Sequence, residues 1–394
     1  MARFEGVDFC DTDSLLSEEE RAVRDTIRAW VDQELLPVIR ESYVERRFPR
    51  ELIPQMADLG VFGANMPEKY GCADLNSVAY GLIMQELERG DSGVRSFASV
   101  QSALVMYPIL EFGNESQRQQ WLPRLAQAEA IGCFGLTEPD HGSDPGGLTT
   151  RAVKDGKDWV LNGTKMWITN GSLADVSIIW AKTGALDDQA SIRGFIVETE
   201  RDGFVAKDQH GKLSLLASDT SEISLQDVRV PDANLLPGSA GLKSALMCLN
   251  QARYGIAWGA VGAAMACYSE ALSYAKNRQQ FHRPIGAFQI QQIRLVEMLT
   301  EITKAQLLAI HLGRLKDRGV LRHTQVSLAK RNNVNVACEA AREARRLLGA
   351  NGILVEYESM RHMANLESVY TYEGTHDIHG LIVGEAITGL SAIA

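Results

Sequence analysis

The spacing of hydrophobic residues changes twice along this chain of 394 residues, and this change constrains the fold more than any other feature. Up to about residue 134 apolar residues recur at helical intervals, beginning with the capping box Ser17–Glu20. The next hundred residues carry short strand-like runs between turn residues, after which the helical period returns. The sequence therefore predicts an α+β, mainly α, fold with an N-terminal helical domain (1–134), a central antiparallel β domain (135–238) and a C-terminal four-helix bundle (239–394).

Turn residues and apolar runs predict individual elements within these regions. Asp155-Gly156 and Asn162-Gly163 are both hairpin signals, and they flank a predicted strand, Lys157–Leu161. Leu347–Gly352 resembles a phosphate loop only superficially, because it follows a helix and lacks G-x-G-x-x-G, which disfavours a Rossmann cofactor site. Further strands are predicted at 165–169, 176–182, 194–198 and 223–230, and the bundle helices at 242–279, 286–317, 322–349 and 376–391.

Composition argues against several classes of partner. A net charge of −10 argues against nucleic acid and against an anionic membrane surface. The longest apolar stretch, Gly255–Cys267, is too short to span a bilayer, and the acidic N-terminal segment suits neither a secretory signal nor a transit peptide. The six cysteines are scattered without a C-x-x-C pair, which is typical of reduced thiols. The sequence predicts a soluble cytoplasmic protein with no nucleic-acid or membrane partner.

The candidate catalytic residue is Glu373, in the segment Tyr372–Asp377 near the C-terminus. Gly374 follows it directly and would let a substrate approach closely, because glycine has no side chain to block it. Apolar and aromatic neighbours just upstream would desolvate the carboxylate and raise its pKa, which would make it a stronger base. For a lone glutamate, however, a surface carboxylate at a helix start is the commoner interpretation.

Two further segments contain groups suited to a planar or anionic ligand. Gly135–Pro139 and Gly142–Asp144 cluster glycine, hydroxyl and backbone N–H groups where helices give way to the sheet, although a plain domain junction also explains them. Trp167 and Thr169 are two residues apart, so regular strand alternation puts an aromatic wall and a hydrogen-bond donor on one face. The alternative is that Trp167 belongs to the core of the sheet.

Two arginines are candidates for anion binding. Arg95 lies among small and apolar residues, and a buried guanidinium there would need an anionic partner. Glu88 can be that partner, or can share Arg95 with a substrate carboxylate, and an exposed Arg95 is the alternative. Arg278, with Phe281 and Gln289 at a helix junction, could hold a pyrophosphate or simply cap helices.

A metal site is the rival interpretation of the C-terminal segment. On a helix Glu373, His376 and Asp377 share a face, with His379 close by, and such groups can ligate a metal. No further His or Cys cluster in the sequence supports this, so no metal is predicted. A serine hydrolase is also disfavoured, because the sequence contains no G-x-S-x-G motif.

The order of these motifs resembles that of the acyl-CoA dehydrogenase flavoenzymes over nearly the whole chain. The shared features are Thr-Glu-Pro with Gly-Ser-Asp, Trp-Ile-Thr, Arg-x-x-Phe and Tyr-Glu-Gly-Thr, placed in successive helical, sheet and helical regions. Residues 95–108, 250–259 and 371–379 look most like the glutaryl-CoA dehydrogenase branch. The resemblance implies FAD bound without a Rossmann fold, a homotetramer, and electron transfer to an electron-transfer flavoprotein.

The resemblance also implies roles for individual residues. The flavin would be lined by Phe134, Leu136, Thr137, Gly142, Ser143, Trp167, Ile168, Thr169, Thr375 and Asp377. Its pyrophosphate and adenosine end would meet Arg278, Phe281, Gln289, Arg346, Leu347, Gly349 and Ala350, partly across a subunit interface. The substrate would contact Glu88, Arg95, Ser96, Ser143, Asn250, Arg253 and Gly374, and Glu373 would be the base.

The implied reaction is the FAD-dependent oxidative decarboxylation of glutaryl-CoA to crotonyl-CoA and CO2. Glu373 would remove the α-proton while the β-hydrogen leaves as hydride, and Arg95 would hold the distal carboxylate. Some relatives carry their base just before the arginine that matches Arg253, where this chain has Ala252, which cannot take a proton. The alternatives are a non-decarboxylating or short-chain acyl-CoA dehydrogenase, an oxidase that passes electrons to O2, and a non-catalytic scaffold.

Overall fold

The computed structural model describes residues 6–392, with helices in the first and last parts of the chain and a sheet between them. The N-terminal helices are α1 Glu18–Trp30, α2 Leu36–Val44, α3 Ile53–Asp58, α4 Ser77–Gly90, α5 Ser92–Ser99, α6 Tyr107–Phe112 and α7 Glu115–Ala126. The strands are β1 Gly132–Gly135, β2 Arg151–Asp155, β3 Asp158–Thr169, β4 Val176–Lys182, β5 Ile192–Glu198, β6 Phe204–Asp208 and β7 Thr220–Pro231. The C-terminal elements are α8 Gly241–Asn277, the hairpin β8 Gln279–Gln280 and β9 Arg283–Pro284, α9 Gln289–Asp317, α10 His323–Leu347, α11 Ser359–Thr371 and α12 His376–Thr388. The predicted fold class is confirmed.

The first helix begins where its capping box predicts. Ser17 Oγ accepts a hydrogen bond from the Glu20 backbone N–H (3.2 Å), and the Glu20 carboxylate accepts one from the Ser17 N–H (2.8 Å). A π-helical turn, Val31–Leu35, then connects α1 directly to α2, in which Pro37 is the second residue. Because proline lacks the N–H that an α-helix needs, the wider turn lets the chain continue as a helix through Pro37.

The sheet is mixed, which the prediction of an antiparallel domain did not anticipate. Its strand order is β1-β4-β2-β3-β7-β6, and β5 also pairs with β4. Both β1 and β2 pair with β4 in parallel, whereas the other pairings in this sheet are antiparallel. Every residue of β4 is buried, which explains its nearly continuous apolar sequence.

One of the two predicted hairpins is wrong. Asp155-Gly156 does connect β2 to β3, with Gly156 at φ +61°. Asn162-Gly163 instead lies inside β3, so the two strands predicted at 157–161 and 165–169 are one strand. Asn162 exchanges two hydrogen bonds of 2.9 Å with Asp227 on β7, at a shift in the pairing register. A bulge therefore takes the place of the turn.

The C-terminal region is a helical bundle whose central helix, α8, packs closely on α4. A methyl group added to Gly262 would lie 1.8 Å from the Gln85 carbonyl oxygen, and one added to Gly259 would lie 2.0 Å from the Glu88 carboxylate. The two helices therefore meet with no room for side chains at these points. The helix α11 is an addition to the four predicted helices. Within residues 6–392, no helix has the length and apolar character needed to cross a membrane.

A buried ion pair connects the turn that follows β1 with strand β3. Glu138 accepts hydrogen bonds from Lys165 Nζ (2.9 Å) and from the N–H and hydroxyl groups of Thr149 and Thr150. Burial opposes the charge of Glu138, but Lys165 and these hydrogen bonds outweigh burial and lower its pKa to about 2. The pair thus shapes the loop that contains Gly142 and Ser143.

We expect Glu138→Gln to lower the free energy of unfolding by about 3–5 kcal/mol, because Lys165 would stay buried without its counter-charge. Urea denaturation at neutral pH measures this loss. The double variant Glu138→Gln/Lys165→Met should lose less, since it leaves no buried charge unpaired. The folded-state pKa of Glu138 lies below the ordinary 4.5, so this stabilisation should be full above pH 4.5 and disappear as the pH falls through about 2. Identical urea midpoints for Glu138→Gln and the wild type would contradict the assignment.

Candidate active site

The turn between α11 and α12 presents Glu373 in a strained conformation. Its φ is +56° and that of Gly374 is +90°. A left-handed conformation costs a non-glycine residue on the order of 1–3 kcal/mol, and it persists only where the surroundings enforce it. A methyl group on Gly374 would also lie 3.0 Å from His379 Nε2. Glycine is therefore required at 374 by conformation and by space.

Side chains from three helices hold the backbone carbonyls of this turn. Arg253 Nε on α8 donates to the Glu373 carbonyl oxygen at 2.8 Å. Lys330 Nζ on α10 donates to the carbonyl oxygens of both Tyr372 and Gly374, each at 2.8 Å. His379 Nε2 on α12 lies 3.2 Å from the Glu373 carbonyl oxygen, a contact that requires the proton on Nε2.

Glu373 is half-buried, and one of its two carboxylate oxygens is enclosed. Its Oε2 atom is buried and has no hydrogen-bond partner among residues 6–392. Burial raises the pKa of Glu373, although Arg253, Lys330 and Arg95 oppose this shift. A carboxylate of raised pKa in a dry setting is a stronger base than one in water, which suits removal of a proton from carbon.

Next to this turn Glu88, Ser96 and Tyr372 surround the buried Arg95 in a cluster that we call the arginine pocket. Arg95 is 1% exposed and Glu88 is fully buried, and Arg95 Nε donates to Glu88 Oε2 at 2.6 Å. The second oxygen, Glu88 Oε1, has no partner in the described part of the chain. Arg95 Nη2 also donates to the Tyr372 hydroxyl, which lies 3.2 Å from Ser96 Oγ. The pocket and Glu373 are therefore linked through adjacent residues.

The end of β3 and the loop before β7 contact the two helices that lead to these groups. Asn170, just after β3, donates to the Phe97 carbonyl on α5 (3.5 Å) and to the Gly132 carbonyl (3.3 Å). The loop before β7 contacts α11, where the Leu215 N–H donates to Asn365 Oδ1 at 3.0 Å. The sheet domain therefore contacts the helix that contains Arg95 and the helix that leads into the Glu373 turn.

At this end of the sheet the predicted alternation of Trp167 and Thr169 does not hold. The pairing register of β3 shifts between Lys165 and Ile168, and Trp167 lies in this bulge with φ +62°. Regular alternation therefore cannot relate the two side chains. Trp167 is 62% exposed, which also excludes the alternative that it belongs to the core, whereas Ile168 is buried and Thr169 half-buried.

The other residues predicted to line a flavin divide by burial. Phe134 and Leu136 are buried, and the ring centroids of Phe134 and Trp180 are 6.1 Å apart. These side chains therefore contribute to the core. Gly142 and Ser143 are exposed, and the Thr137 carbonyl accepts from the Met166 N–H. Thr375 caps α12 by accepting from the Ile378 N–H at 3.1 Å, and Asp377 is exposed in its first turn.

The residues predicted for a pyrophosphate and adenosine site lie on the surface of the bundle. Phe281 is 83% exposed at the tip of the β8–β9 hairpin, where both it and His282 have positive φ (51° and 64°). Two strained non-glycine residues in one turn are typical of functional sites. Exposed residues of the same predicted set are Arg278, Gln289, Arg346, Gly349 and Ala350, whereas Leu347 is buried.

The rival metal site does not form. Across residues 6–392 no three His, Cys, Asp or Glu side chains converge as metal ligands. His376 instead stacks on Tyr370 with ring centroids 4.3 Å apart, and His379 contacts the Glu373 carbonyl. Burial, with Lys330 and Arg253, lowers the pKa of His379 to about 3, so its imidazole is neutral.

Sequence reasoning missed Lys330, the contact of His379 with the Glu373 carbonyl and the hydroxyl role of Tyr372. One signal was available for Lys330: it shares the buried stripe of α10 with residues such as Val326, Asn333 and Val334. A cation at such a position is unusual and indicates a specific partner. For the other two residues no local pattern exists, since their contacts depend on the tertiary fold.

Comparison with known proteins places the chain in a family. It matches the N-terminal, middle and C-terminal domains of the acyl-CoA dehydrogenases at residues 17–129, 133–228 and 239–388. An acyl-CoA dehydrogenase of Bacillus subtilis (strain 168) is 36% identical over 375 residues, which is 95% of this chain and 99% of the relative. This chain belongs to the acyl-CoA dehydrogenase family. The mitochondrial short-chain specific acyl-CoA dehydrogenase of Bos taurus is 35% identical over 370 residues, or 93% of this acyl-CoA dehydrogenase and 90% of the relative.

Several solved structures are also similar to this acyl-CoA dehydrogenase, two of them at higher sequence identity than these relatives. A glutaryl-CoA dehydrogenase from Mycobacterium smegmatis in complex with FADH2 has a TM-score of 0.96 at 49% identity, and a second structure of the Mycobacterium smegmatis enzyme has 0.96 at 52% identity. Both comparisons cover 100% of each chain. A glutaryl-CoA dehydrogenase in complex with glutaryl-CoA has a TM-score of 0.91 at 33% identity, covering 95% of this chain and 96% of that one.

Proposed function

We propose that this acyl-CoA dehydrogenase oxidises glutaryl-CoA and then releases CO2 to form crotonyl-CoA. One observation carries the proposal. The buried Arg95, paired with Glu88, also donates a hydrogen bond to the hydroxyl of Tyr372, and Tyr372 directly precedes the candidate base Glu373. A substrate with a thioester at one end and a carboxylate at the other matches this arrangement. The 49–52% identity to glutaryl-CoA dehydrogenases over the whole chain supports it.

FAD is the cofactor of this family member, as the sequence predicted. The structure offers it an exposed indole at Trp167 and a half-buried hydroxyl at Thr169, beside the elements that present Glu373. Exposed Arg278 and Gln289 would hold the pyrophosphate. When bound, FAD supplies the acceptor for the hydride that leaves the β-carbon.

The residues of the chain perform the remaining steps of this proposal. Glu373 takes the α-proton, and its raised pKa makes its carboxylate a stronger base for this step. The substrate carboxylate binds the Arg95 guanidinium, whose Nε and Nη2 atoms already contact Glu88 and Tyr372. Asn250 Oδ1, which has no hydrogen-bond partner in residues 6–392, lies buried on α8 and is available to the CoA portion.

Loss of CO2 follows from the chemistry of the first product. After oxidation the distal carboxylate is separated from the thioester by a conjugated double bond. When the bond to the carboxylate carbon breaks, its electron pair therefore delocalises onto the thioester. Glu373, which still carries the abstracted proton, returns it to the γ-carbon and gives crotonyl-CoA. Each turnover thereby leaves Glu373 as a carboxylate again.

A short-chain or non-decarboxylating dehydrogenase is the second candidate. The short-chain relative from Bos taurus aligns with nearly the whole chain. Glu88 also neutralises Arg95 within the chain itself, so the pocket needs no second carboxylate to balance its charge. Under this candidate, Arg95 would serve only to hold Tyr372.

Two partner proposals accompany this function. An electron-transfer flavoprotein would accept the electrons, as the family resemblance implies. The chain would form a homotetramer, as the family resemblance implies, and an apolar surface formed by Phe281, Ile290, Ile293 and Val296 is exposed along the hairpin and α9 for subunit contact. Contiguous exposed apolar surface of this kind is typical of subunit contacts.

Product analysis tests the proposed function. The purified, FAD-loaded protein is given glutaryl-CoA or butyryl-CoA with a dye as electron acceptor, and CoA esters and CO2 are quantified by mass spectrometry with 13C-labelled substrate. We expect crotonyl-CoA and CO2 in equal amounts from glutaryl-CoA. Accumulation of glutaconyl-CoA without CO2 would establish the non-decarboxylating candidate, and turnover of butyryl-CoA alone would establish the short-chain one.

A further inference from the structure

Lys330 occupies a position on α10 where a cation is costly. The residue is 1% exposed. Burial of an ammonium group costs roughly several kcal/mol unless nearby groups compensate its charge. The buried Lys165 has a carboxylate bonded to it, in Glu138. Lys330 instead donates to two backbone carbonyls, those of Tyr372 and Gly374. Its electrostatic partner is Glu373, the residue between them.

We infer that Lys330 is a positioning residue, which holds the turn 372–374 so that the Glu373 carboxylate and the Tyr372 hydroxyl keep a fixed relation to each other. This inference rests on the proposed function, in which the two groups contact opposite ends of one acyl chain.

The geometry of the turn explains why this support is needed. Arg253 and His379 both contact the carbonyl of Glu373, and neither contacts the carbonyls of the residues on its two sides. Lys330 spans the turn from Tyr372 to Gly374 with two bonds of 2.8 Å. Because the left-handed conformation of Glu373 is unfavourable by itself, loss of this span allows the turn to relax.

Lys330 also acts on Glu373 through charge. The titratable and charged groups that interact with this pair lie on four helices: Arg95 on α5, Cys248 and Arg253 on α8, Cys338 on α10, and His376 and the neutral His379 on α12. Burial lowers the pKa of Lys330 to about 7, with Arg253 and Arg95 adding to the shift and Glu373 opposing it. A protonated Lys330 lowers the pKa of Glu373, so its removal raises the pH below which the base is protonated.

Two variants separate the hydrogen bonds from the charge. Lys330→Met removes both, whereas Lys330→Gln keeps two N–H donors and removes only the charge. We expect Lys330→Met to increase deuterium uptake of backbone amides in residues 371–380 and to lower kcat on glutaryl-CoA by about 10²-fold, the scale of loss for a displaced reacting group. Lys330→Gln should recover most of the lost protection and most of kcat. Both variants should move the acid limb of kcat/KM to higher pH.

Lys182 provides a matched control, because it is 2% exposed and also donates to a backbone carbonyl, that of Leu186, within the sheet domain. Lys182→Met should leave deuterium uptake in 371–380 and the acid limb unchanged. The inference is overturned if Lys330→Met leaves both unchanged, or changes them no more than Lys182→Met does. A wild-type protein that oxidises no acyl-CoA would refute the proposed function instead, while deuterium uptake would still decide whether Lys330 holds the turn.

Discussion

Replacement of Glu373 by glutamine lowers kcat on glutaryl-CoA by about 10²–10⁴-fold, the usual contribution of a general base. The amide has nearly the shape of the carboxylate but cannot accept the α-proton. The backbone contacts that hold the turn, from Arg253 and Lys330, involve carbonyl groups and remain available. The measurement is steady-state turnover with a dye acceptor, at FAD content matched to the wild type by flavin absorbance.

Two further variants make this result specific. Glu367→Gln, on the exposed face of α11, removes a carboxylate six residues away and should leave kcat unchanged. Glu373→Asp keeps a carboxylate but shortens its reach, so it should retain part of the activity. Because burial raises the pKa of Glu373 above the ordinary 4.5, wild-type kcat/KM should fall with decreasing pH at a midpoint above 4.5. Full turnover by Glu373→Gln would exclude Glu373 as the base.

Arg95→Met separates the dicarboxylic substrate from the monocarboxylic one. Loss of one partner of a buried, hydrogen-bonded charge pair costs about 2–5 kcal/mol, or roughly 30- to 5,000-fold in kcat/KM for glutaryl-CoA. Butyryl-CoA has no distal carboxylate, so we expect its kcat/KM to fall much less. The residual effect on butyryl-CoA reports the lost contact between Arg95 and Tyr372.

Arg95→Met leaves Glu88 as an unpaired buried charge, which lowers stability and therefore requires a control. The double variant Glu88→Gln/Arg95→Met contains neither buried charge, so it should regain stability. Its kcat/KM for glutaryl-CoA should nevertheless stay low relative to that for butyryl-CoA. Comparison of the two variants by urea denaturation and by both kcat/KM values separates folding from recognition. Equal losses on glutaryl-CoA and butyryl-CoA in the double variant would show that Arg95 supports Tyr372 without binding substrate.

Features that depend on local chemistry were predictable from the sequence. The capping box at Ser17 and the turn at Asp155-Gly156 use contacts within a few residues, and both form as expected. Asn162-Gly163 carries the same turn signal but pairs with Asp227, 65 residues away, inside a bulge. The signal is therefore ambiguous whenever a partner strand can satisfy the asparagine.

The candidate site shows the same division. Order of motifs and family resemblance named Glu373 and Arg95 as candidates, and the pairing of Arg95 with Glu88, which the structure contains, followed from the cost of a buried charge. The contact of Arg95 with Tyr372 joins residues 277 apart, which no spacing rule reveals. Trp167 was assigned by strand alternation, and the bulge in β3 removes the basis for that argument.

The close approach of α4 and α8 has a consequence for how such a pocket can change over evolution. Gly259 and Gly262 leave no space for one additional carbon atom between α8 and α4. A larger residue at either position would therefore have to displace a whole helix. New acyl preferences are therefore accessible mainly through substitutions at Arg95, Ser96 and Tyr372. A descendant enzyme would inherit the glycines unchanged and diverge at those three positions.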